Sequence, residues 1–422
     1  MRLKSLTLRN FRNVPEATLE ADPHLNFLIG ANGQGKTSFL EGLSYLATLR
    51  SFRGAKSEEV VKWGETASEV HGALADGDWR TDLKIVFSLN QQSGMAPTSA
   101  KKGHARSSKI AFINGKGFRS STQYLSQRFG SYELGFHTVI FNPADHDLVR
   151  GEPALRRGYL DRVLAAEDHE YLELIHKYQR VLLQRNTLLK EPYSPSPELL
   201  LGFSEPLAAL GSRLTHKRLG WLERLKVRLN SVLHEIAPSL PNLELIYTSN
   251  WVPAIQNLAS PNNTLGNVHF AGQLALPSLE NLEQDFWKQL SLMNEAELRA
   301  QSSLVGPHRD DWAFLLGGQV LKGHGSQGEV RSALLALKLC EIELFRTQTG
   351  HRPLLLLDDF SSELDREKRA FLLRFLTDTD LQTFVTTTED SFQVGKRFTV
   401  SQGMLTQQIL PGSATASAAQ TE

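Results

Sequence analysis

The chain has 422 residues, with 46 Lys and Arg set against 46 Asp and Glu, a formal net charge of 0, and 41% hydrophobic residues. That balance excludes a disordered, collagen-like or polybasic-tail protein, and at about 150 residues per domain it allows two or three domains with sizeable cores. It does not exclude nucleic-acid binding, because a basic face can be cancelled by an acidic one.

In chain order, Leu3, Leu6 and Leu8 alternate with Lys4, Thr7 and Arg9, which predicts a strand. The opening has no apolar signal-peptide stretch, and no run approaches the ~18 apolar residues of a membrane helix, so a cytoplasmic protein without a membrane partner is expected. A second strand, LNFLIG, ends at Gly30. A glycine-rich loop follows, then a helix whose apolar positions are Phe39, Leu43, Leu46 and Leu49. EVHGALA and WRTDLKIVFSL read as strands and KIAFING as a returning one. Residues 91–108 between them are rich in Gly, Ser and Lys and predict a mobile surface loop.

Glu152–Lys190 is expected as the longest helical tract, ended by the prolines of EPYSPSPELL. A second helix is expected over Phe203–Ile236, then a strand in NLELIYTSNW and a helix in SLENLEQDFWKQL. The run LLALKLCEIELF predicts a buried helix that makes the single cysteine, Cys340, an inert core thiol. The expected division is a first lobe in two parts, 1–164 and 296–410, an inserted helical lobe at 165–295, and a disordered tail at 411–422.

Three motifs carry chemistry. Gly30-Ala31-Asn32-Gly33-Gln34-Gly35-Lys36-Thr37, continued by Ser38, matches GxxxxGK[ST] between a strand and a helix. Glycines let successive N–H groups turn toward phosphate oxygens, and the helix adds its positive end. Lys36 is placed to reach the β and γ phosphates and Thr37 to ligate Mg²⁺. In RPLLLLDDFSSELD, an apolar strand suited to a parallel sheet ends at Asp358 and Asp359. Asp358 is a candidate Mg²⁺ ligand and Asp359 a candidate for orienting or deprotonating water; two acids opening a turn is the structural alternative. Gly325-Ser326-Gln327-Gly328 precedes a helix. It offers either a second anion-binding surface, serving a γ phosphate held by another subunit, or an N-cap loop.

These motifs together resemble the ABC-type ATPases of the SMC and RecF group. LLLLDDFSSELD looks like their second Walker motif joined to a D-loop at Ser362–Asp365. Phe141–Asp161, Gly306–Asp311 and Leu8–Asn13 resemble hallmarks of the RecF family. The resemblance implies an α/β fold, an ABC-type P-loop ATPase head lobe with an inserted mainly helical second lobe. It implies ATP and Mg²⁺ as cofactors and an ATP-dependent homodimer in which Ser326, Gln327 and Gly328 of one copy close over ATP on the other. It places Arg12 near the nucleotide, Asn32 near metal and water, and Thr387 or Thr388 near the attacking water. A slow, DNA-stimulated hydrolase is expected, clamping double-stranded DNA near single-strand gaps. With RecO and RecR it would promote RecA loading in gap repair, replication restart and the SOS response. Glu329 and Val330 depart from the family's usual signature loop.

Arg119, Arg128, Arg150, Arg156, Arg157 and the basic run at 101–109 are candidate phosphate contacts on DNA. His308, Arg309 and Asp310 suit a salt-bridge network better than a metal site. Two other classes share the phosphate loop. A transporter ATPase would dock on a membrane partner; a small-molecule kinase would leave the 325–331 loop idle.

Overall fold

The fold was taken from a computed structural model that describes residues 1–90, 106–130, 134–191, 195–252, 276–359, 366–389 and 394–408. The expected loop at 91–108 lies almost wholly outside the described residues, as do the D-loop at 362–365 and the tail. Strands β1 (Arg2–Phe11), β2 (Val14–Glu20) and β3 (Leu25–Ile29) precede helix α1 (Lys36–Thr48). Then come β4 (Ala67–Asp76), β5 (Trp79–Asn90), β6 (Arg106–Ile113), β7 (Lys116–Phe118) and β8 (Thr138–Phe141). The middle of the chain forms α2 (Pro153–Glu167), α3 (His169–Leu189), α4 (Pro197–Ile236), β9 (Leu243–Thr248), α5 (Leu279–Ala300), β10 (Asp311–Leu316), β11 (Gln319–Val320) and α6 (Gln327–Thr349). The chain continues with β12 (Leu354–Leu357), α7 (Arg366–Asp378), β13 (Thr383–Thr387), β14 (Lys396–Ser401) and β15 (Met404–Gln408).

The first of two units comprises residues 1–144 and 350–422. Its described strands form two sheets, one ordered β2-β1-β4-β5-β6-β7 and antiparallel, the other ordered β15-β14-β3-β13-β12-β8. In the second, β14, β3, β13, β12 and β8 run parallel. The alternation read in β1 sends Leu3, Leu6 and Leu8 into the core, where they join Phe39, Leu43 and Leu46 of α1. Strands β3 and β12 lie inside the parallel sheet and bury every residue, which is why β12 reads as an unbroken apolar run and β3 is apolar but for Asn26, whose side chain bonds the backbone of Asp22 and Thr383. Both tryptophans of this unit stand in water, Trp63 at 98% exposure and Trp79 at 82%.

The second unit, residues 145–349, is mainly helical with a small sheet ordered β11-β10-β9. The two units meet at 144/145 and 349/350, whereas the expected lobes divide at 164/165 and 295/296. Helix α2 belongs here because Arg156 makes a two-pronged pair with Asp311 of β10, and Arg156 O accepts from Trp312 Nε1 at 2.9 Å. Helix α6 packs on α4, so the 326–328 loop falls in this unit and the Asp358–Asp359 strand in the first.

The expected Glu152–Lys190 helix is two helices. Asp168 is extended at the junction and its carboxylate accepts from Tyr171 N at 3.1 Å, capping α3. The longest described helix is α4, with 40 residues and Ser196 as its cap. The 306–311 hallmark is a buried polar network within the second unit. Asp310 accepts from Tyr247 OH (2.8 Å) and Trp251 Nε1 (3.0 Å), while Arg218 donates to Asp161 (2.7 Å) and Pro307 O (2.8 Å). Among the described residues no helix is long and apolar enough to cross a membrane.

Candidate functional site

The phosphate loop is built from three sides. Strand β3 stops at Gly30, whose backbone lies so close to β14 that an added Cβ would come within 2.3 Å of Val400 O. Gly35 has φ 105°, and a Cβ there would meet Asn13 Nδ2 at 2.7 Å, so only glycine closes the turn into α1. Gln34 accepts from Gln402 N through Oε1 (2.6 Å) and from Gly403 N through its carbonyl (2.8 Å). Ser38 Oγ donates to Asn13 Oδ1 at 3.0 Å. Ala31, Asn32 and Gly33 remain exposed on the rim.

Lys36 folds back into this loop. Its Nζ donates to Gly30 O (2.6 Å) and Ala31 O (2.9 Å). Burial lowers the ammonium's pKa, opposed by Asp359 and then Asp358. The carbonyls therefore hold the charge where a phosphate can compete for it.

Asp358 sits at the end of β12, its N–H donating to Phe141 O at 2.8 Å. Its Oδ1 accepts from Thr37 Oγ1 (2.9 Å) and from Thr386 Oγ1 (2.7 Å). Burial raises its pKa, hydrogen bonds from Thr386 and Thr37 pull it down, Asp359 pushes it up and Arg53 pulls it down. Asp359 follows in a left-handed conformation, φ 53°, with its N–H donating to Thr386 Oγ1 at 2.8 Å.

The donor chemistry fits Mg²⁺. Thr37 and Asp358 are hard oxygen donors already in contact, and no group of three His, Cys, Asp or Glu able to hold a metal occurs among the described residues. A cation there would need phosphate and water oxygens as its other ligands, which is the magnesium pattern.

Arg12 forms a two-pronged pair with Glu41 of α1, Nε to Oε2 at 2.8 Å and Nη2 to Oε1 at 2.6 Å, and Nη1 donates to Glu59 O at 2.8 Å. Glu41 is fully buried and also accepts from Ser51 Oγ at 2.5 Å, and Ser51 Oγ accepts from Arg53 N at 3.0 Å. Arg12 thus braces the turn that carries Arg53 toward Asp358. Thr387 is buried beside Thr386, but its hydroxyl accepts from Glu389 N at 3.0 Å. It is Thr386, not Thr387, whose hydroxyl reaches the acid. Neighbouring residues of a strand point to opposite faces, and that alternation is the sequence signal that separates them.

In the second unit Ser326 immediately precedes α6. Ser326 N donates to Glu329 Oε2 (2.7 Å) and Glu329 N donates to Ser326 Oγ (3.2 Å). This reciprocal pair is a capping box, legible as S-x-x-E, and it gives the unusual Glu329 a structural job. Gln327 and Gly328 form the first turn. Of the candidate DNA contacts, Arg156 is spent on Asp311, Arg157 donates to Asp310 O (2.8 Å), Arg150 to Gly325 O (3.1 Å), and Arg128 to Ala47 O at the end of α1. Arg119 is exposed.

Residues 2–403 match the family described as the RecF/RecN/SMC N terminal domain. The DNA replication and repair protein RecF of Geobacter sulfurreducens is 34% identical over 413 residues, covering 96% of this chain and 100% of that protein. The RecF of Myxococcus xanthus is 32% identical, covering 94% and 93%. Among solved structures, the recombination mediator protein RecF-ATPrS in the RecFOR pathway has a TM-score of 0.77 at 30% identity, covering 96% of this chain and 98% of that one. RecF-ATP of the same pathway has a TM-score of 0.76 at 31% identity, with 97% and 98% covered. An SMC head bound to the C-terminal winged-helix domain of ScpA is similar in fold alone, at 12% identity and a TM-score of 0.51.

Proposed function

The chain belongs to the RecF/RecN/SMC N-terminal-domain family as an ATPase of the RecF type, and on that premise we propose that it is an ATP-dependent, dimerising DNA clamp. On this reading Lys36 exchanges the Gly30 and Ala31 carbonyls for β and γ phosphate oxygens, while the 31–37 N–H groups and the start of α1 hold the rest of the triphosphate. Thr37 and Asp358 hold Mg²⁺, which when bound offsets the charge of the phosphate oxygens. Asp359 orients the attacking water. Ser326, Gln327 and Gly328 of a second copy close the site, so nucleotide favours the closed dimer and hydrolysis releases it.

Hydrolysis is slow, because the residues that follow β13's buried Thr386 toward the attacking water are Thr387 or Thr388, neither of them a strong base. The closed pair grips double-stranded DNA at gap boundaries through phosphates, without reading bases, and acts with RecO and RecR to load RecA. The observation that supports this reading most is the similarity to RecF-ATP of the RecFOR pathway, with a TM-score of 0.76 over 97% of this chain and 98% of that one.

Sedimentation of the protein with and without ATP and gapped duplex DNA tests it. ATP should convert monomer to dimer, and DNA should strengthen the shift. Lys36→Met should abolish it. Ser326→Arg should retain ATP binding to the monomer and lose the dimer. A Ser326→Arg variant that dimerises like the parent would remove the loop from the mechanism.

A further inference from the structure

Thr386 is completely buried, and one hydroxyl there serves both acids at the end of β12. A hydroxyl has one proton to give. Asp358 Oδ1 takes it at 2.7 Å, so a lone pair receives the Asp359 N–H at 2.8 Å. Thr37 Oγ1 gives its own proton to the same Oδ1 at 2.9 Å, which leaves the Thr37 lone pairs available to a cation. Asp358 Oδ1 is thus held by two hydroxyls, one from α1 and one from β13. The second bond, to Asp359 N–H, holds a non-glycine residue at φ 53°. L-residues adopt that conformation at a cost, and keep it where surrounding contacts over-determine it.

We infer that Thr386 is a positioning residue for this centre: its hydroxyl fixes the aim of the Asp358 carboxylate toward the Thr37 side and locks the left-handed step that presents Asp359. The inference rests on the reading above that Asp358 helps hold Mg²⁺. The next hydroxyl of β13, on Thr387, instead accepts from Glu389 N at 3.0 Å. Register explains the placement. Val385 of β13 pairs with Leu357, the last residue of β12, so the next residue lies level with Asp358.

The test uses the full chain and a fluorescent ATP analogue titrated with Mg²⁺. Thr386→Val keeps the shape and removes both hydrogen bonds. It should leave Mg²⁺-free nucleotide binding within about twofold of the parent and raise the Mg²⁺ concentration needed for half-maximal tightening by roughly tenfold, the weight of one hydrogen bond to a charged group. kcat should fall while KM for ATP at saturating Mg²⁺ holds. Thr386→Ser should restore the parent Mg²⁺ curve. If the valine variant does not fold, Thr386→Cys, a weak donor of similar bulk, carries the test with an intermediate shift. A folded valine or cysteine variant with the parent Mg²⁺ curve overturns the inference, and so does a serine variant that folds without restoring it. A parent protein whose nucleotide binding ignores Mg²⁺ would sink the underlying reading instead.

Discussion

Arg156 offers the sharpest separation of a structural role from a DNA-binding one. Its side chain is 4% exposed, with Nε on Asp311 Oδ1 at 2.7 Å and Nη2 on Oδ2 at 2.8 Å. Nη1 donates to Gly151 O at 2.9 Å. Arg156→Met keeps the bulk and strands the Asp311 carboxylate and that carbonyl. Removing one partner of a buried pair costs about 3–5 kcal/mol. Asp311 is 26% exposed, so water recovers part of its hydration, and about 2–4 kcal/mol is expected. At ~2–4 °C per kcal/mol for a unit of this size, the second unit should melt about 4–16 °C lower. Calorimetry reads this directly, and Arg156→Met with Asp311→Leu should recover most of the loss. The salt dependence of DNA affinity should keep its slope. A melting temperature within about 2 °C of the parent, with a salt slope reduced by about 1, would refute the reasoning and make Arg156 a phosphate contact.

Glu167 Oε2 is buried with no hydrogen-bond partner among the described residues, and burial pushes the carboxyl up to about 7 against the pull of Arg224. The folded state therefore binds its proton more tightly than the unfolded one, and stability is lost as pH rises from 4.5 through about 7. Glu167→Gln should match the parent near the low end of that window and exceed it by about 1–3 kcal/mol at the high end, read by denaturant melts across pH. Gly35→Ala should abolish nucleotide binding in calorimetry while leaving the second unit's melting unchanged, because φ 105° and the 2.7 Å approach to Asn13 admit no Cβ.

The phosphate loop and the Asp358–Asp359 strand were legible because their chemistry is written in consecutive residues. So was the α/β fold, since β12 shows the unbroken apolar run of a buried parallel strand. Contacts between distant segments were not. Nothing local says that Arg12 will brace Glu41, or that one unit ends at Ala144 and the next begins at Asp145, because both depend on how separate stretches pack. The Asp168 break hid for another reason: apolar spacing continues on both sides of it, and only the capping aspartate marks the stop. The choice between Thr386 and Thr387 needed a register, which pairing to β12 and β3 supplies. The Ser326–Glu329 box was readable from its S-x-x-E spacing alone.

The uneven placement of indoles gives the molecule two optical reporters. Trp63 and Trp79 stand in solvent on the nucleotide-binding unit, whereas Trp221, Trp251 and Trp312 are enclosed in the helical unit. Iodide should quench the first pair strongly and the half-buried Trp287 of the helical unit in part, and spare the enclosed set. A blue-edge emission change on heating would then report the helical unit, while a ligand that covers the first unit's surface would show as lost quenching with no spectral shift.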